Sequence, residues 1–349
     1  MGEALIVRIR ATSPWRLGDG AARDATAELY HSDALYSAVT GALGKLGELP
    51  AWLEATAAAA DPAVRFSSGY PWKDDDLFVL PPATVWPPES FAMMQLRGAR
   101  YLPVRAVRTL LGGGELLELE WMVDPPSRCL LHRTTAPVTP VFRVATRVRQ
   151  PVDRIWGSGA AARRIGCLEF GPDAGLWFLI LFSDAEARSR WEEPVRAALR
   201  LLADSGFGGG RSLGWGRGEI AGVEEVPWPD YFLPDAAPEE EEQAGESEGS
   251  EAPERRTAYW ILSAFRPGAA DRIEWDKGRY AVAVRGGRVE SPAGWGLSKK
   301  AVRMVEEGSV LVGEAPPVGS APDVAPDGFP HPVYRFGFAV SVPIELGAA

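Results

Sequence analysis

The sequence predicts an α+β protein organised as two regions joined by an acidic tract. Three observations support this prediction. Strand and helix patterns alternate over residues 1–230, strand patterns dominate residues 257–349, and a run of glutamates separates the two. A chain of 349 residues is long enough for roughly two domains.

The first region has the pattern order of one βαββαβ unit. The apolar heptapeptide Leu5–Ala11 predicts the first strand, and Val195, Leu199 and Leu202 recur at helical spacing. The complete prediction is strand 4–11, helix 32–47, strands near 63–71 and 77–82, strand 175–183, helix 185–204 and strand 219–226.

A long insertion, about residues 95–165, interrupts this unit. It is too long for an ordinary connection, and it contains Gly112, Gly113 and Gly114. Between Arg97 and Arg164 there are twelve arginines and five acidic residues. Such a concentration of positive charge predicts a functional surface for an anionic partner.

The acidic tract predicts a disordered linker over residues 235–256. Residues 235–254 contain eight Glu and one Asp with no Lys or Arg, so this stretch accounts for most of the net charge of −10. Blocks of like charge without large apolar residues remain solvated. An autoinhibitory segment that competes with a nucleic acid is the alternative. After the tract, strands are predicted at 258–265, 280–285, 302–313 and 334–344.

Composition excludes several classes of protein. Cys129 and Cys167 lie 38 positions apart, which excludes a disulfide scaffold or a zinc ribbon and favours a reducing cytoplasm. The first residues lack the basic start of a signal peptide, and no stretch approaches the ~20 apolar residues of a membrane span. We therefore expect a cytoplasmic protein without a membrane partner.

The most informative segment is a glycine-rich loop over residues 206–218, which contains seven glycines, two arginines and one tryptophan. Glycine permits close approach of a ligand to backbone N–H groups, and arginine adds charge for phosphate. The loop follows a predicted helix and lacks the lysine of a P-loop, so it is not a mononucleotide or dinucleotide motif. A flexible hairpin without a ligand is the alternative. The candidate RNA contacts are Gly208, Gly209, Gly210, Arg211, Ser212, Gly214, Trp215, Gly216 and Arg217.

Four further segments, together with this loop, resemble a known family. They are Tyr30–Ala38, Arg147–Arg154, Ser298–Ser309 and His331–Gly337. In this combination they are similar to the RAMP proteins of CRISPR systems, and among these to the type III-A (Csm) subunits that cap the 5′ end of the guide crRNA. The resemblance extends nearly from end to end, with gaps at the acidic tract and in parts of residues 95–140.

The resemblance implies a fold and a function. The fold is two ferredoxin-like (RRM-type) domains, the first with a thumb-like insertion and the second mostly β. The function is non-catalytic: the subunit binds the 5′ handle of crRNA and bridges the large polymerase-like subunit to the repeated backbone RAMP subunit in antiviral defence, and it meets target RNA only indirectly. The further RNA contacts implied are His31, Ser32, Arg147, Arg149, Arg154, Lys299, Lys300 and Arg303. Whether the last three contact RNA or the large subunit stays open.

Two other functions are considered. His31 opens the first predicted helix, where a histidine can serve as general base in a metal-independent crRNA-processing endoribonuclease. Against this, processing RAMP proteins usually carry the glycine loop near the C-terminus, whereas 131 residues follow Gly218 here. The third hypothesis is a general single-strand RNA-binding protein that stacks bases on Trp and Tyr. No metal or cofactor is predicted. His31, His132 and His331 are not spaced as metal-binding motifs require, and Asp74–Asp76 is interpreted as a solvated turn.

Overall fold

A computed structural model describes residues 2–18, 25–88, 91–135, 139–150, 161–235, 256–291 and 293–346. It has an α+β fold with mostly antiparallel sheets, as predicted. The predicted contact Arg154 and most of the predicted acidic linker, residues 236–255, lie outside the described residues. Within the described part of the chain, no helix is long and apolar enough to span a lipid bilayer.

The strands of the first region match the predicted order and add several that the sequence did not indicate. They are β1 Gly2–Ala11, β2 Val64–Phe66, β3 Tyr70–Lys73, β4 Asp76–Val79, β5 Leu102–Pro103, β6 Trp121–Val123, β7 Leu130–His132, β8 Phe142–Arg149, β9 Arg163–Phe170, β10 Ala174–Phe182 and β11 Gly218–Trp228. The main sheet has the order β11-β1-β10-β3-β4-β5, and β2 also pairs with β10.

Strand β1 lies between two antiparallel partners. Ile6 pairs with Leu179 of β10 on one side and with Glu224 of β11 on the other. Residues 4–7 and Ile9 are almost completely buried, so both faces of β1 contact the core. A strand covered on both faces shows an apolar run rather than strict alternation, which explains why Leu5–Ala11 is easy to recognise as a strand.

The helices are α1 Ser32–Lys45, α2 Leu49–Ala55, α3 Val104–Leu111 and α4 Ala185–Ser205. The predictions of α1 and α4 are confirmed to within about two residues, which is the usual uncertainty of helix ends. Helix α4 begins after Asp184, whose carboxylate accepts a hydrogen bond from the Ala187 N–H at 2.8 Å, a normal N-cap. Helices α2 and α3 are short and were not predicted, although Val104, Val107 and Leu111 of α3 recur at helical spacing.

The insertion contains a long two-stranded ribbon. Strands β8 and β9 pair antiparallel from Phe142↔Phe170 to Arg149↔Arg163. Their described contacts with the rest of the fold are at the base, where the Trp15 N–H donates to Leu168 O at 2.9 Å. The arginine-rich end of the ribbon projects into solvent. Val144 and Val148 of β8 are more than half exposed.

The second region is built from strands. They are β12 Arg256–Ile261, β13 Val282–Arg285, β14 Arg288–Ser291, β15 Gly294–Ser298, β16 Val302–Val305, β17 Val310–Val312, β18 Gly319–Ser320, β19 Gly337–Phe338 and β20 Ser341–Leu346. The order β17-β12-β20 forms a three-stranded sheet, and β13-β16, β14-β15 and β18-β19 form ribbons. The predicted β character is confirmed. None of the described residues between 256 and 346 is helical, so the two helices of a ferredoxin-like unit are not found there.

Aromatic side chains join the two regions. Trp177 of β10 stacks on Phe232, and Trp260 of β12 meets the same ring edge-on at 5.9 Å. Tyr36 of α1 stacks on Phe336 with centroids 3.9 Å apart. These rings are all almost completely buried, so the interface between the regions belongs to the hydrophobic core.

Candidate nucleic-acid interface

The glycine loop is anchored by its backbone. Phe207 is 1% exposed, and its ring stacks on Trp15 at 5.1 Å. The Phe207 N–H donates to Gly216 O at 2.9 Å, which closes the loop on itself. The N–H groups of Gly209 and Gly216 donate to Arg16 O and Pro14 O, both at 2.8 Å. Residues 12–17 therefore hold the loop from one side.

The glycines are required for close backbone packing. Gly216 has φ +78°, and a Cβ there would lie 2.0 Å from Phe207 O. A Cβ on Gly208, with φ +67°, would lie 2.4 Å from Arg16 O. The sequence predicted that the glycine N–H groups point outward toward phosphate. That prediction is wrong for Gly209, Gly214 and Gly216, whose N–H groups donate to backbone carbonyls of this chain.

The side chains of the loop differ in exposure. Ser212 and Arg217 are exposed, and Trp215 is half-buried against Gly210, which has φ +78°. Arg211 forms an ion pair with Glu290 of β14. The loop therefore offers polar side chains to solvent while Arg211 reaches the second region.

The start of α1 is also directed at the second region. Ser32 is 1% exposed, its N–H donates to Ser68 Oγ at 2.8 Å, and its Oγ accepts from the Ala264 N–H at 3.0 Å. The sequence predicted Ser32 as an RNA contact, but a side chain so buried and already hydrogen-bonded has no surface to offer. This prediction is corrected.

His31 contacts a buried carboxylate. Its Nδ1 lies 2.9 Å from Glu307 Oε1, and Glu307 also accepts a hydrogen bond from Ser68 Oγ. The side chains of His31 and Glu307 are 16% and 1% exposed. Burial acts to raise the pKa of Glu307, but His31 and the hydroxyl of Ser68 outweigh it and hold that pKa below its usual value.

The next acidic residue of α1, Asp33, is shared by two arginines of the second region. Its carboxylate is 2.9 Å from Nη2 of Arg285 and also bonds Nη1 of Arg335. All three side chains are at most 9% exposed. Burial alone raises a carboxyl pKa, but the two guanidinium groups hold the pKa of Asp33 well below its usual range.

Lys299 lies beside this ion triad. Its backbone N–H donates to Gly287 O at 2.8 Å, and Arg335 Nη2 donates to the neighbouring Gly286 O at 2.8 Å. Burial and the charge of Arg335 lower the pKa of Lys299. We call this region the domain junction and define it by His31, Asp33, Arg211, Arg285, Glu290, Lys299 and Arg335.

The domain junction brings together predicted residues that are distant in sequence: His31, Arg211 and Lys299. It does not include Lys300 and Arg303 by any described contact. Lys300 is exposed and pairs with Asp327 at 2.7 Å, and Arg303 is exposed opposite Val284 in the β13-β16 ribbon.

The β8-β9 ribbon carries a second group of cations. Directly opposed residues of an antiparallel pair share a face, so the register places Arg143, Arg147, Arg149 and Arg163 on one face. Arg149 lies directly opposite Arg163, and like charges directly opposed on neighbouring strands repel each other. No carboxylate of the described residues pairs with either.

Glu169 partly neutralises the base of this face. Its two oxygens accept from Arg143 Nε at 3.0 Å and from Arg147 Nε at 2.9 Å. Hydrogen bonds from Arg143 and then Arg147 lower the pKa of Glu169 below its usual value. Both guanidinium groups also donate to Glu169 through Nη2, so each uses two of its five N–H groups on this carboxylate.

Four arginines were missed by the sequence analysis as site residues. The same-face position of Arg143 and Arg163 follows from strand register, which could have been read from alternation around Arg147 and Arg149. The sequence does not predict Arg285 and Arg335 as partners of Asp33, because no sequence pattern links positions so far apart.

The described residues hold no group of three or more His, Cys, Asp or Glu side chains placed to bind a metal ion. In the turn between β3 and β4, Asp76 pairs with Arg105 at 3.0 Å while Asp74 and Asp75 are exposed. This geometry is that of a solvated turn.

Comparison with known proteins finds crystal structures of similar fold. A chain of the Csm3-Csm4 subcomplex in the type III-A CRISPR-Cas interference complex aligns with TM-score 0.60 and 15% identity over 98% of this chain and 99% of that one. A chain of the Csm1-Csm4 cassette in complex with cA4 aligns with TM-score 0.55 and 16% identity over 99% and 100%.

The sequence of the second region is more specific. Residues 254–344 match the family described as the CRISPR Csm4 C-terminal domain. A search of curated proteins gives no match. The second region is thus similar in sequence to the Csm4 C-terminal domain, and the whole chain is similar in fold to chains of the Csm3-Csm4 and Csm1-Csm4 structures.

The buried ion triad gives a stability prediction. Replacing Asp33 by Asn leaves Arg285 and Arg335 without their counter-ion, and we expect the free energy of unfolding to fall by about 3–5 kcal/mol. Urea denaturation at neutral pH measures this free energy, with Asp75→Asn in the exposed turn as control.

The same ion triad predicts a dependence on pH. The pKa of Asp33 in the folded protein is depressed, so the stability that Asp33 contributes is present above its unfolded pKa of about 3.9 and is lost as pH falls through its folded pKa. The deficit of D33N should therefore shrink in acid. A deficit as small as that of D75N contradicts the prediction.

The glycine loop gives a second prediction, because Gly214 and Gly216 have nearly the same φ, +77° and +78°, but different surroundings. A Cβ at Gly214 meets no atom within 4 Å, so Gly214→Ala should cost only the strain of a left-handed residue, about 1 kcal/mol. Gly216→Ala adds a backbone clash and should cost at least about 2 kcal/mol more. Thermal or urea unfolding compares the two. Equal costs show that backbone strain alone explains both glycines.

Proposed function

We propose that this protein is a non-catalytic RNA-binding subunit of a type III-A CRISPR-Cas (Csm) effector complex. In this role it binds the 5′ handle of crRNA and bridges the large polymerase-like subunit to the repeated backbone RAMP subunit, in antiviral defence. The similar structures support the partners, because one is a Csm3-Csm4 subcomplex and the other is a Csm1-Csm4 cassette.

The observation that carries the proposal is the basic face of the β8-β9 ribbon. Strands β8 and β9 contain five arginines and a single acidic residue, although the whole chain has a net charge of −10. Arg149 and Arg163 are held side by side by strand register, and a nearby negative charge would relieve the repulsion between them. A phosphate backbone supplies that charge at regular intervals.

The glycine loop is the second part of the proposed RNA surface. Its exposed residues Ser212 and Arg217 and its half-buried Trp215 provide a hydroxyl, a cation and an aromatic face. The loop and the ribbon share residues 12–17 as a support: Gly216 N–H donates to Pro14 O, and Trp15 pairs with Leu168 of β9. We infer that one RNA strand passes along both.

The same arrangement supports the finer assignment of the fold. The sheet order β11-β1-β10-β3, with α1 after β1 and α4 before β11, has the strand neighbours of a ferredoxin-like unit. We infer that the first region is such a unit, with the ribbon as its thumb-like insertion. The division at the acidic tract and the role of that tract stay predictions.

The geometry around His31 favours a structural role. Its Nδ1 is engaged by the buried carboxylate of Glu307, and only a small part of the side chain reaches solvent. A carboxylate also orients the histidine of many catalytic dyads, and for this reason the endoribonuclease is the second candidate. His31 and Glu307 belong to different regions of the chain, so their contact also holds those regions together.

Base stacking on the large aromatic residues is disfavoured. Trp15, Trp52, Trp177, Trp260, Tyr70 and Tyr101 are among the most buried side chains of the protein. Bases can stack only on exposed rings. A general single-strand RNA-binding function that depends on these residues is therefore not supported.

The proposed RNA surface predicts a change in salt dependence. The double variant Arg147→Ala, Arg149→Ala should weaken binding of the crRNA of the same locus and reduce the slope of log K against log salt by about 0.7 for each phosphate that is no longer neutralised. Fluorescence anisotropy over a series of salt concentrations measures both. Arg196→Ala, Arg200→Ala on α4 removes the same charge elsewhere and should retain the slope. Equal slopes for the two double variants contradict the assignment of the ribbon.

The non-catalytic assignment is tested by cleavage. Purified protein incubated with repeat RNA in the absence of metal should give no product above the background, and His31→Ala should be the same. If His31 were a general base, its removal would lower the rate of a measurable reaction by about 10²–10⁴. Wild-type cleavage that is abolished in H31A establishes the endoribonuclease instead.

A further inference from the structure

We propose that strand β13 and the apolar side chains beside it bind an extended segment of the large polymerase-like subunit, which pairs with the free edge of β13 as an added strand. This inference rests on the proposed function and deepens it, because it assigns one of the two protein partners to a surface of this chain. We call this surface the β13 edge and define it by Trp275, Tyr280, Val282, Val284 and Arg303.

The first argument is that the backbone of β13 is unpaired on one side. Strand β13 pairs with β16 alone, in a register that places Val282 opposite Val305. The Glu306 N–H donates to Ala281 O at 2.9 Å, so Ala281 and every second residue after it bond to β16. The N–H and C=O groups of Val282 and Val284 therefore point away from β16, and they have no hydrogen-bond partner in the described parts of the chain.

The second argument is that this edge is not protected against pairing, whereas another free edge of the protein is. Strand β11, at one end of the main sheet, has three exposed glutamates and an exposed proline: Glu219, Glu224, Glu225 and Pro227. Charged side chains and proline are common means of preventing a free strand edge from pairing with another chain. The one charged residue of β13, Arg285, is buried against Asp33. The β13 edge is therefore open to an added strand.

The third argument is the apolar character of the exposed side chains. Val282 and Val284 are 51% and 64% exposed, and they share a face of β13 because side chains alternate along a strand. Tyr280, two positions before Val282, continues this row, and the ring of Trp275 meets it edge-on at 5.0 Å. Both rings are more than a third exposed. Exposed apolar side chains that lie together in this way are typical of a protein-interaction site, and Trp and Tyr are enriched among the residues that dominate binding.

The fourth argument concerns the kind of partner. Arg303 is exposed and lies directly opposite Val284, so the two side chains share a face. No carboxylate of the described residues pairs with Arg303. RNA is bound by a series of cations, whereas the other exposed side chains of the β13 edge are apolar or aromatic. One cation at the border of an apolar row fits a protein segment that carries an acidic side chain.

The position of the edge favours one of the two partner subunits. In the proposed function the repeated backbone subunits follow the guide RNA, so the first of them lies next to the RNA surface of the ribbon and the glycine loop. No described hydrogen bond or ion pair joins β13 to either of these elements, and its Arg285 contacts Asp33 of α1 instead. We therefore assign the β13 edge to the large subunit.

The experiment measures binding of the full-length protein to the purified large subunit of the same locus by biolayer interferometry. Val284→Lys places a charge on the edge, and we expect the affinity to fall at least about tenfold, because an unpaired charge is disfavoured in the core of an interface. Ala221→Lys adds the same charge to an exposed position of β11. It is the matched control and should bind like the wild type. Thermal unfolding and RNA affinity of each variant check that the fold is retained.

A second pair of variants tests strand addition itself. Val282→Pro removes an N–H that points away from β16, so it removes a bond to the partner and none between β13 and β16. Val282→Ala shortens the same side chain but keeps the N–H. V282P should bind the large subunit about tenfold more weakly than V282A, because a carbonyl of the partner loses its donor. Equal affinities of the two variants show that strand addition is wrong.

Arg303→Ala is the third variant, and it keeps the test informative if V284K or V282P does not fold. Arg303 is exposed, so we expect its replacement to leave the fold intact. R303A should bind the large subunit more weakly than the wild type and with less dependence on salt, because salt screens the attraction between exposed charges. An affinity and a salt dependence equal to those of the wild type contradict the inference.

The outcomes separate this inference from the proposed function. If the wild type binds RNA and the large subunit, and V284K and V282P bind the subunit equally well, the inference is wrong while the proposed function stands. If the wild type does not bind the large subunit at all, the bridging role fails and the inference fails with it. The inference is also overturned if V284K loses the backbone subunit instead, if R303A weakens RNA binding alone, or if light scattering shows a wild-type dimer that V284K abolishes.

Discussion

The arrangement of the two regions depends on one buried carboxylate. Asp33 at the start of α1 is fully enclosed, and it is stable as an anion only because Arg285 and Arg335 reach it from the second region. Buried ions without partners are strongly disfavoured. In the contact of His31 with Glu307 the roles are exchanged: the carboxylate belongs to the second region and its partner to the first. These pairs fix how the regions meet, and so they fix which side chains of the second region face the glycine loop.

The glycine loop imposes a second constraint. Its backbone passes so close to neighbouring backbone that a side chain at Gly208 or Gly216 would overlap a carbonyl oxygen, that of Arg16 or Phe207. The glycines thus allow the loop to pack against residues 14–16 and beside the ribbon, and this packing positions Arg211. A segment that resembles a ligand-binding loop by composition therefore contributes mainly by placing a few side chains accurately.

Local patterns in the sequence predicted the elements that have long apolar periods. Strands β1 and β10 and helices α1 and α4 were recognised because the core covers them along most of their length. The short strands of the insertion carry too few residues for a period, whereas helix α3 has one, with Val104, Val107 and Leu111 at helical spacing, and was missed. Three features could not be predicted from local patterns: the direction of the glycine N–H groups, the burial of Ser32 and the partners of Asp33. They depend on contacts between residues that are far apart in the sequence, such as Asp33 and Arg335.

The ion pairs of Asp33 also bear on the position of the glycine loop. Arg211 of the loop pairs with Glu290 of the second region, and Arg335, one of the partners of Asp33, donates to Gly286 O at 2.8 Å. The segment from Gly286 to Glu290 is therefore held by Arg335 at one end and by Arg211 at the other. Because the same arginine bonds Asp33 of α1, helix α1 and the glycine loop meet one short stretch of the second region, and a loss of the Asp33 contacts would disturb the partner of Arg211 as well.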